Sequence, residues 1–235
     1  RAIGKKLIKF FLNSQKKIGM PINILGLELG SGSGFFSEQM MRYLEFRKLH
    51  LVDISKRMLE KAKVKLKINE INYENLDFDK YKTFNTFNFI YSNMSLHWSE
   101  NFNLLFENLL NSMSKGSIIL FSVPNCFEIS KGNSSLNLQK FLNKFPDVEC
   151  NLKKIKNRKK FFIESKIVTF TENFNGLLNF FYKLKKIGAN ISFKRKKENL
   201  ISFRRNKSKI TVMYIINFVI IKIMQIKTKL ITRNN

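Results

Sequence analysis

The chain has 235 residues, of which 43 are lysine or arginine and 17 are aspartate or glutamate, so its formal net charge is +26. Hydrophobic residues make up 44% of it, which supplies enough apolar side chains for a core and excludes disorder as the main state. Only Cys126 and Cys150 are present, without a CxxC motif or a Cys/His cluster, which excludes a disulfide framework and a zinc site. We therefore expect a protein of the cytoplasm with reduced thiols and no bound metal.

The positive charge has three explanations. It is spread from Lys5 to Arg233, and lysine recurs with the asparagine, isoleucine and phenylalanine that AT-rich codons specify, so base composition alone can raise the charge. The alternatives are an acidic macromolecular partner and a nucleic acid, whose phosphates attract basic surfaces. Base composition is the favoured explanation and an acidic partner the next, and we expect no nucleic-acid partner.

The first half of the chain alternates between helix and strand patterns. Apolar residues at helical spacing predict a helix near the N-terminus, in the stretch AIGKKLIKFFL. Apolar runs then predict strands at 22–29, 48–54, 71–77, 87–94 and 117–124, the last of them ended by Pro124. Helices are predicted between the strands at 35–44, from an N-cap at Ser55 to residue 68, and after Trp98 to about Met113. This alternation is typical of an α/β fold with a parallel sheet covered by helices on both faces.

Beyond Pro124 the regular alternation of strand and helix patterns ends. The patterns predict a short helix at 136–145, a basic polar loop at 151–160, a strand at 161–170, a helix at 174–190 that ends at Gly188, and a last strand at 210–221. Lys222 interrupts the apolar run at 210–226 before it reaches the roughly 20 residues that a membrane-spanning helix needs, so we expect a buried strand and no membrane partner. We predict a single domain over residues 1–235, with about seven strands and a small cap at roughly 125–160, after the fifth strand.

The stretch LELGSGSG, residues 27–34, places Glu28 before a glycine-rich turn from a strand into a helix. Glycines let the backbone approach a ligand closely, and a helix N-terminus favours a carboxylate. Asp53, at the end of the second predicted strand, can accept both hydroxyls of a ribose. A dinucleotide would bring a pyrophosphate, which Glu28 would repel, whereas the same carboxylate attracts an ammonium.

S-adenosylmethionine has an ammonium and a ribose but no phosphate, so it is the predicted cofactor. The residues predicted to contact it around these two strands are Glu28, Gly30, Ser31, Gly32, Gly34, Asp53 and Ile54. The alternative is a tight turn whose acid is satisfied within the protein.

Several stretches carry a family resemblance. The acid–glycine pattern resembles the first motif of the class I methyltransferases, and VDIS at 52–55 resembles their second. SNMSLHW, residues 92–98, resembles the SNLALQW-type signature of the malonyl-[acyl-carrier-protein] O-methyltransferases of biotin synthesis, with His97 where that family usually has glutamine. The likeness covers roughly residues 2–225, with further similar stretches at 121–141, 177–190 and 209–220.

The resemblance implies a fold, a cofactor and a reaction. It implies a Rossmann-like class I methyltransferase sheet, S-adenosylmethionine, and methylation of the free carboxylate of a malonyl group on acyl carrier protein, or on coenzyme A. Such a carboxylate has a pKa near that of aspartate, so it is already an anion at neutral pH and needs no general base.

The resemblance also implies roles for individual residues. Trp98 and His97 are the candidates for the catalytic pocket, and Asp77, Phe78, Ser92 and Asn93 become further cofactor contacts. The acidic carrier protein would meet basic side chains, for which the candidates are Lys131, Lys140, Lys153, Lys154 and Arg195. Two alternatives stay open: another small-molecule or RNA methyltransferase on the same fold, and a degenerate copy that only binds or assembles. We expect a monomer.

Overall fold

A computed structural model describes residues 1–66, 70–131, 134–137, 145–156, 160–186 and 209–224. The helices are α1 (Ala2–Ile18), α2 (Phe35–Met40), α3 (Lys56–Lys65), α4 (Phe102–Ser112), α5 (Val148–Lys156) and α6 (Leu177–Lys186). The strands are β1 (Ile24–Leu29), β2 (Phe46–Asp53), β3 (Ile71–Asn75), β4 (Phe89–Asn93), β5 (Ile118–Lys131), β6 (Ser134–Asn137), β7 (Phe161–Phe174) and β8 (Ile210–Ile223). Short 3₁₀ turns lie at Phe78–Lys80, Phe84–Thr86 and Leu96–Trp98.

The described strands form one sheet in the order β3-β2-β1-β4-β5-β8-β7, and β6 pairs with β5 at its side. β1 to β5 run parallel to one another, whereas β8 lies antiparallel between β5 and β7. The sequence therefore predicted the α/β class and the parallel half correctly. The carboxyl ends of β1, β2 and β4 meet at one edge of the sheet, which is where ligands bind in folds of this kind.

Helices cover both faces of the sheet. On one face, α1, α2 and α3 bury a core that includes Leu7, Phe11 and Phe36. On the other face, α4 and α5 bury a second core, to which they contribute Phe106 and Leu152. Because apolar surface removed from water contributes about 25 cal/mol per Å², these two layers hold the parallel strands in place. No helix among the described residues is long and apolar enough to cross a membrane.

The antiparallel strands extend well past the parallel ones. β4 ends opposite Ser122 of β5, but β5 continues to Lys131 and stays paired with β8 as far as Ser130. This extension has a core of its own, which α6 completes, built from Phe127, Ile129, Phe174, Leu177, Phe180, Ile210 and Val212. It stands over the edge where the parallel strands end.

Two predictions were wrong in this second half. Pro124 does not end its strand, because the pairing with β8 shifts register between Pro124 and Cys126, and proline is tolerated at such an irregularity. Residues 151–156 of the polar loop predicted at 151–160 are instead helical, because α5 occupies 148–156 and buries Val148, Leu152 and Ile155 on one face.

Other predictions in this half stand only in part. Residues 136–137 of the predicted helix at 136–145 belong to β6, and residues 138–144 and Gly188 lie outside the described residues. Cys126 and Cys150 are not joined by a disulfide.

Candidate active site

The glycine turn, residues 30–34, connects β1 to α2 at the carboxyl edge of the parallel strands. Gly30 N and Ser31 N donate to Val52 O of β2 at 2.8 and 3.0 Å, which holds the turn against the neighbouring strand. All three glycines of the turn have φ between 53° and 70°. Side chains disfavour this left-handed region, so glycine is the residue that the turn requires.

The three glycines differ in what surrounds them. A Cβ added to Gly30 would lie 2.3 Å from Ser95 Cβ, and one added to Gly34 would lie 2.8 Å from Leu66 Cδ1. A Cβ added to Gly32 would have no atom within 4 Å. The first and last glycines therefore allow close packing, whereas Gly32 leaves its backbone open to a ligand.

Asp53 binds the turn from the end of β2. Its Oδ2 accepts from Gly32 N at 2.7 Å and its Oδ1 accepts from Ser55 N at 2.8 Å. An ionised carboxylate has about four acceptor positions, so both oxygens retain capacity for ribose hydroxyls. Ser55 is the N-cap residue of α3 as predicted, but its side chain makes no capping hydrogen bond, and the carboxylate of Asp53 accepts from its backbone instead.

Next to Asp53, Ile54 is 73% exposed at the same edge, where its side chain offers an apolar surface to a flat ring. Asn75, the last residue of β3, donates to Asp53 O at 3.0 Å and to Ile54 O at 2.8 Å. It thereby fixes the backbone that carries both predicted cofactor contacts. Sequence analysis missed Asn75, which lay inside the predicted strand at 71–77 and carried no signal of its own.

Asp77 and Phe78 lie at the start of the first 3₁₀ turn after β3. Asp77 Oδ1 accepts from Asp79 N at 3.0 Å and caps that turn, and Phe78 is buried. Asp79, which sequence analysis also missed, accepts from Ser99 Oγ at 2.6 Å and from Glu100 N at 2.7 Å. The loop after β3 is thus tied to the loop that follows β4.

The loop after β4 is anchored to the glycine turn. Ser92 Oγ donates to Leu29 O at 2.8 Å, and Ser95 Oγ donates to Gly30 O at 2.9 Å. Asn93 Oδ1 accepts from Ser122 Oγ of β5 at 2.9 Å. The stretch 92–98 and the glycine turn are therefore parts of one site.

Met94 in this loop has φ 59°, and its N–H is held by Ser122 O at 2.9 Å. A non-glycine residue in this region is strained, and such strain occurs often at functional sites. The strained residue stands directly before the segment that carries His97 and Trp98.

Trp98 and His97 lie side by side in the third 3₁₀ turn. Trp98 is 48% exposed, and the two ring centroids are 4.7 Å apart. His97 Nδ1 is buried and has no hydrogen-bond partner among the described residues. Burial lowers the pKa of His97 to about 3, so this ring is neutral at physiological pH.

An aromatic wall continues from this pair along the antiparallel extension. Phe145 lies 6.3 Å from His97 and 5.1 Å from Phe127, and Phe127 lies 5.1 Å from Tyr214, all between ring centroids. Burial, followed by the nearby Glu172 carboxylate, raises the pKa of Tyr214, so its hydroxyl stays protonated. The rings of the wall are uncharged, and the wall begins in the loop that follows β4.

Glu28 lies beneath the glycine turn. It is 1% exposed, and its carboxylate accepts from Ser37 Oγ of α2. Burial is the main reason that the pKa of Glu28 rises to about 8, and the charge of Asp53 raises it further. Its role towards the ammonium of the cofactor remains a prediction, since Ser37 already occupies one of its oxygens.

Of the predicted basic residues, Lys153 and Lys154 are those whose side chains the structure describes. Lys153 and Lys154 lie on the exposed face of α5, where Lys153 Nζ lies 2.9 Å from Glu149 Oε1. Lys131 ends β5, and its side chain lies outside the described part of the chain, as do Lys140 and Arg195.

A cavity of about 460 Å³ lies apart from the glycine turn, towards the amino end of β1. Its lining includes Leu25, His50, Glu74 and Phe87. The described connection from β3 to β4, which contains two short 3₁₀ turns, lines part of it. His50 Nε2 lies 2.9 Å from Glu74 Oε2 inside it.

The residues at the carboxyl edge fit S-adenosylmethionine. The open backbone at Gly32, the acceptor oxygens of Asp53 and the exposed Ile54 suit a methionine moiety, a ribose and an adenine in turn. Bound there, the cofactor would supply a methyl group on a sulfonium. The protein's own groups would hold it and shield it from water on the side of the aromatic wall.

Comparison with known proteins agrees with this geometry. Residues 27–121, which include β1, the glycine turn and β4, match the family model described as methyltransferase domain. The structure is similar to that of the plantazolicin methyltransferase BpumL in complex with SAH, with a TM-score of 0.51 and 17% identity over 92% of this chain and 84% of that one.

Two relatives are similar over most of their length. A malonyl-[acyl-carrier protein] O-methyltransferase of Buchnera aphidicola subsp. Baizongia pistaciae is 30% identical over 179 residues, which cover 74% of this chain and 69% of the relative. Malonyl-[acyl-carrier protein] O-methyltransferase 2 of Ilyobacter polytropus is 28% identical over 176 residues, which cover 73% and 68% respectively.

With a Rossmann-like sheet, a site at its carboxyl edge that fits S-adenosylmethionine, and these relatives, the chain is an S-adenosylmethionine-dependent methyltransferase that belongs to the malonyl-[acyl-carrier protein] O-methyltransferase family.

Proposed function

We propose that the protein transfers the methyl group of S-adenosylmethionine to the free carboxylate of a malonyl group carried by acyl carrier protein, in the cytoplasm, as an early step of biotin synthesis. The names of its relatives support this substrate. The observation that carries the proposal is the anchoring of residues 92–98 on the glycine turn through Ser95 and Gly30. It joins the family-specific stretch to the cofactor site.

The chemistry needs little from the protein beyond position. Bound S-adenosylmethionine would supply the methyl group: the carboxylate oxygen would bond to the methyl carbon as the carbon–sulfur bond breaks, and the electron pair of that bond would stay on sulfur. The products are S-adenosylhomocysteine and a methyl ester, and no proton moves. A neutral His97 and an apolar wall are therefore appropriate, because water exclusion strengthens the attraction between the anionic oxygen and the sulfonium.

The aromatic wall suits the reacting end of such a substrate. Trp98 stands at the open side of the site with nearly half of its surface exposed, where it can cover the malonyl group. We propose that Trp98 forms this cover and that His97 sets its position through ring contact. Holding the oxygen in line with the methyl group is the main contribution that such a wall makes to the rate.

The carrier protein would dock through charge. Acyl carrier proteins are acidic, and this chain carries a net charge of +26, part of it on the exposed lysines Lys153, Lys154 and Lys156 of α5. Electrostatic docking of this kind weakens with salt, since the Debye length falls from roughly 14 Å to roughly 4 Å between about 50 and 500 mM.

Steady-state kinetics with both malonyl carriers tests the proposal. The KM for malonyl-acyl carrier protein should rise strongly with salt, whereas kcat should change much less because the reacting groups are shielded. Malonyl-coenzyme A lacks the acidic protein surface and serves as the control, with a weaker salt response. Absence of methyl transfer to both thioesters by the full-length protein would show that the proposed substrate is wrong.

A further inference from the structure

A buried hydrogen-bonded chain connects the glycine turn to β4. Ser37 Oγ of α2 donates to Glu28 Oε2, and the same Ser37 Oγ lies 2.5 Å from Tyr91 Oη. Glu28, Ser37 and Tyr91 are 1%, 0% and 0% exposed. No motif of the sequence analysis contains Ser37 or Tyr91, and the methyl-transfer chemistry does not use them.

The number of available protons determines which group is the donor in each of these two hydrogen bonds. A serine hydroxyl has one proton, and when Glu28 is ionised that proton is donated to the carboxylate. Tyr91 must then be the donor to Ser37. Burial raises the pKa of Tyr91 well above its ordinary value, so it keeps the proton that it has to donate.

The surroundings of Glu28 make these two hydroxyls important. Asp53 approaches from β2 with a like charge, and α1 packs on the same core with apolar side chains such as Leu7 and Phe11. Its buried Ser14 donates to Phe10 O within the helix. The titratable groups that face the Glu28 carboxylate are therefore Asp53 and Tyr91, and Ser37 is its hydrogen-bond donor. Without such donors a buried carboxylate strongly prefers its neutral form.

We propose that Ser37 and Tyr91 are positioning residues of the cofactor site: they form a donor chain that stabilises Glu28 as an anion beneath the glycine turn when the cationic cofactor binds. The free protein holds this carboxyl largely protonated near neutral pH, because burial raises the pKa of Glu28 to about 8. Binding of the cofactor then drives the loss of that proton. The proposal concerns the cofactor alone and does not depend on which methyl acceptor the protein uses.

Calorimetric titration of the full chain with S-adenosylmethionine across a range of pH tests this proposal. Tyr91→Phe keeps the ring, which packs edge-on at 5.7 Å from Phe36, and removes only the hydroxyl. Loss of the donor raises the pKa of Glu28 further, and a rise of about one unit makes the variant bind roughly tenfold more weakly at about pH 6.5. This gap in affinity between the unsubstituted protein and the variant should shrink to less than about twofold near pH 9.5, where Glu28 is ionised in both proteins. The amine of the cofactor also titrates over this range, but it affects both proteins equally, so it cancels in the ratio of their affinities.

Tyr73→Phe is the matched control. Tyr73 lies in β3, and its hydroxyl donates to Leu66 O, away from Glu28, so its removal should leave the affinity unchanged at every pH. Ser37→Ala interrupts the chain at its middle and should reproduce the shrinking gap, so either variant decides the question if the other does not fold. A thermal unfolding curve establishes the folding of each.

A double-mutant cycle makes the test specific for Glu28. Glu28→Gln cannot ionise, so adding Tyr91→Phe to it should change the affinity by less than about twofold at any pH. The proposal is overturned if the gap of Tyr91→Phe and Ser37→Ala stays constant with pH, or if Tyr91→Phe keeps its full effect in the Glu28→Gln background. Either result would mean that the hydroxyls only support packing.

Discussion

The two halves of the sheet differ in the length of their strands and in the groups that they present. In the parallel half, β1, β2 and β4 are short and end together, so that a glycine turn, Asp53 and residues 92–98 meet at one edge. In the antiparallel half, β5, β7 and β8 each span 14 residues and rise past that edge with a core of their own. In our proposal, the first half provides backbone and carboxylate groups for the cofactor, and the second provides an apolar wall for the methyl acceptor.

This difference shows how one fold can keep its cofactor and change its substrate. The cofactor groups are held by backbone hydrogen bonds between neighbouring strands, such as Gly30 N to Val52 O, which leave little freedom. The wall is held by ring contacts such as Phe127 with Tyr214, which tolerate changes of shape as long as the volume is kept. Mutations in the two halves should therefore affect different kinetic constants.

The largest effect is expected from Gly30→Ala, which should weaken cofactor binding at least about 100-fold. Left-handed backbone costs a non-glycine residue about 1–2 kcal/mol. The new methyl group also meets Ser95 at 2.3 Å and displaces the loop that holds residues 92–98. Calorimetric titration with S-adenosylmethionine measures the loss. Gly116→Ala is the control, since Gly116 has φ 86° and nothing within 4 Å of an added Cβ, so it carries the strain without the collision. Equal affinities in the two variants would contradict the account of the glycine turn.

A smaller loss is expected from Asp53→Ala, about tenfold or more in cofactor affinity. The substitution removes hydrogen bonds from a charged acceptor, each of which contributes about 1.5–3 kcal/mol at most, to the ribose and to Gly32 N. The same titration reports the change, and the KM for the malonyl thioester should stay within about twofold, since Asp53 lies in the cofactor half. An unchanged cofactor affinity would remove Asp53 from the site.

Trp98→Ala should have the smallest effect on the cofactor and a clear effect on turnover. We expect kcat to fall about five- to tenfold with both malonyl carriers, because the wall loses its cover and the reacting oxygen is less well held. Cofactor affinity should change less than about twofold. Tyr182→Ala removes another exposed aromatic side chain, on α6, and should leave kcat unchanged. A loss of cofactor affinity in Trp98→Ala without a loss of kcat would reverse the assignment of the two halves.

Sequence analysis predicted the parallel half well for physical reasons. β1 and β4 are buried along nearly their whole length, so each reads as a short apolar run. The ends of β1 and β2 carry the glycines and the acid that stand out in the sequence. Asp53 and the glycine turn were recognisable for this reason, and the structure brings them together.

The antiparallel half was predicted less well, and the reasons are equally physical. Pro124 is normally a sign that a strand ends, and only the register shift with β8 makes it compatible with a longer one. The charge of α5 concealed a narrow apolar face of Val148, Leu152 and Ile155, so a helix was taken for a loop.

Contacts across the sheet were beyond reach of the sequence as well. Ser37 and Tyr91 are far apart in the chain, and neither residue type suggests a cofactor site by itself. Asn75 and Asp79 likewise act through backbone groups and loops that only the fold brings near. A local sequence pattern predicts which side chains stand at the end of a strand. Which residues hold those side chains in place depends on contacts that form only in the folded protein.

Methyl transfer from labelled S-adenosylmethionine, offered side by side with malonyl-acyl carrier protein, malonyl-coenzyme A and RNA, tests the central claim most directly. The account predicts label on the malonyl-acyl carrier protein, released by hydrolysis as the methyl ester of the free carboxylate, with coenzyme A as the poorer carrier and RNA unlabelled. Label on RNA, with both malonyl thioesters unmodified, would contradict it.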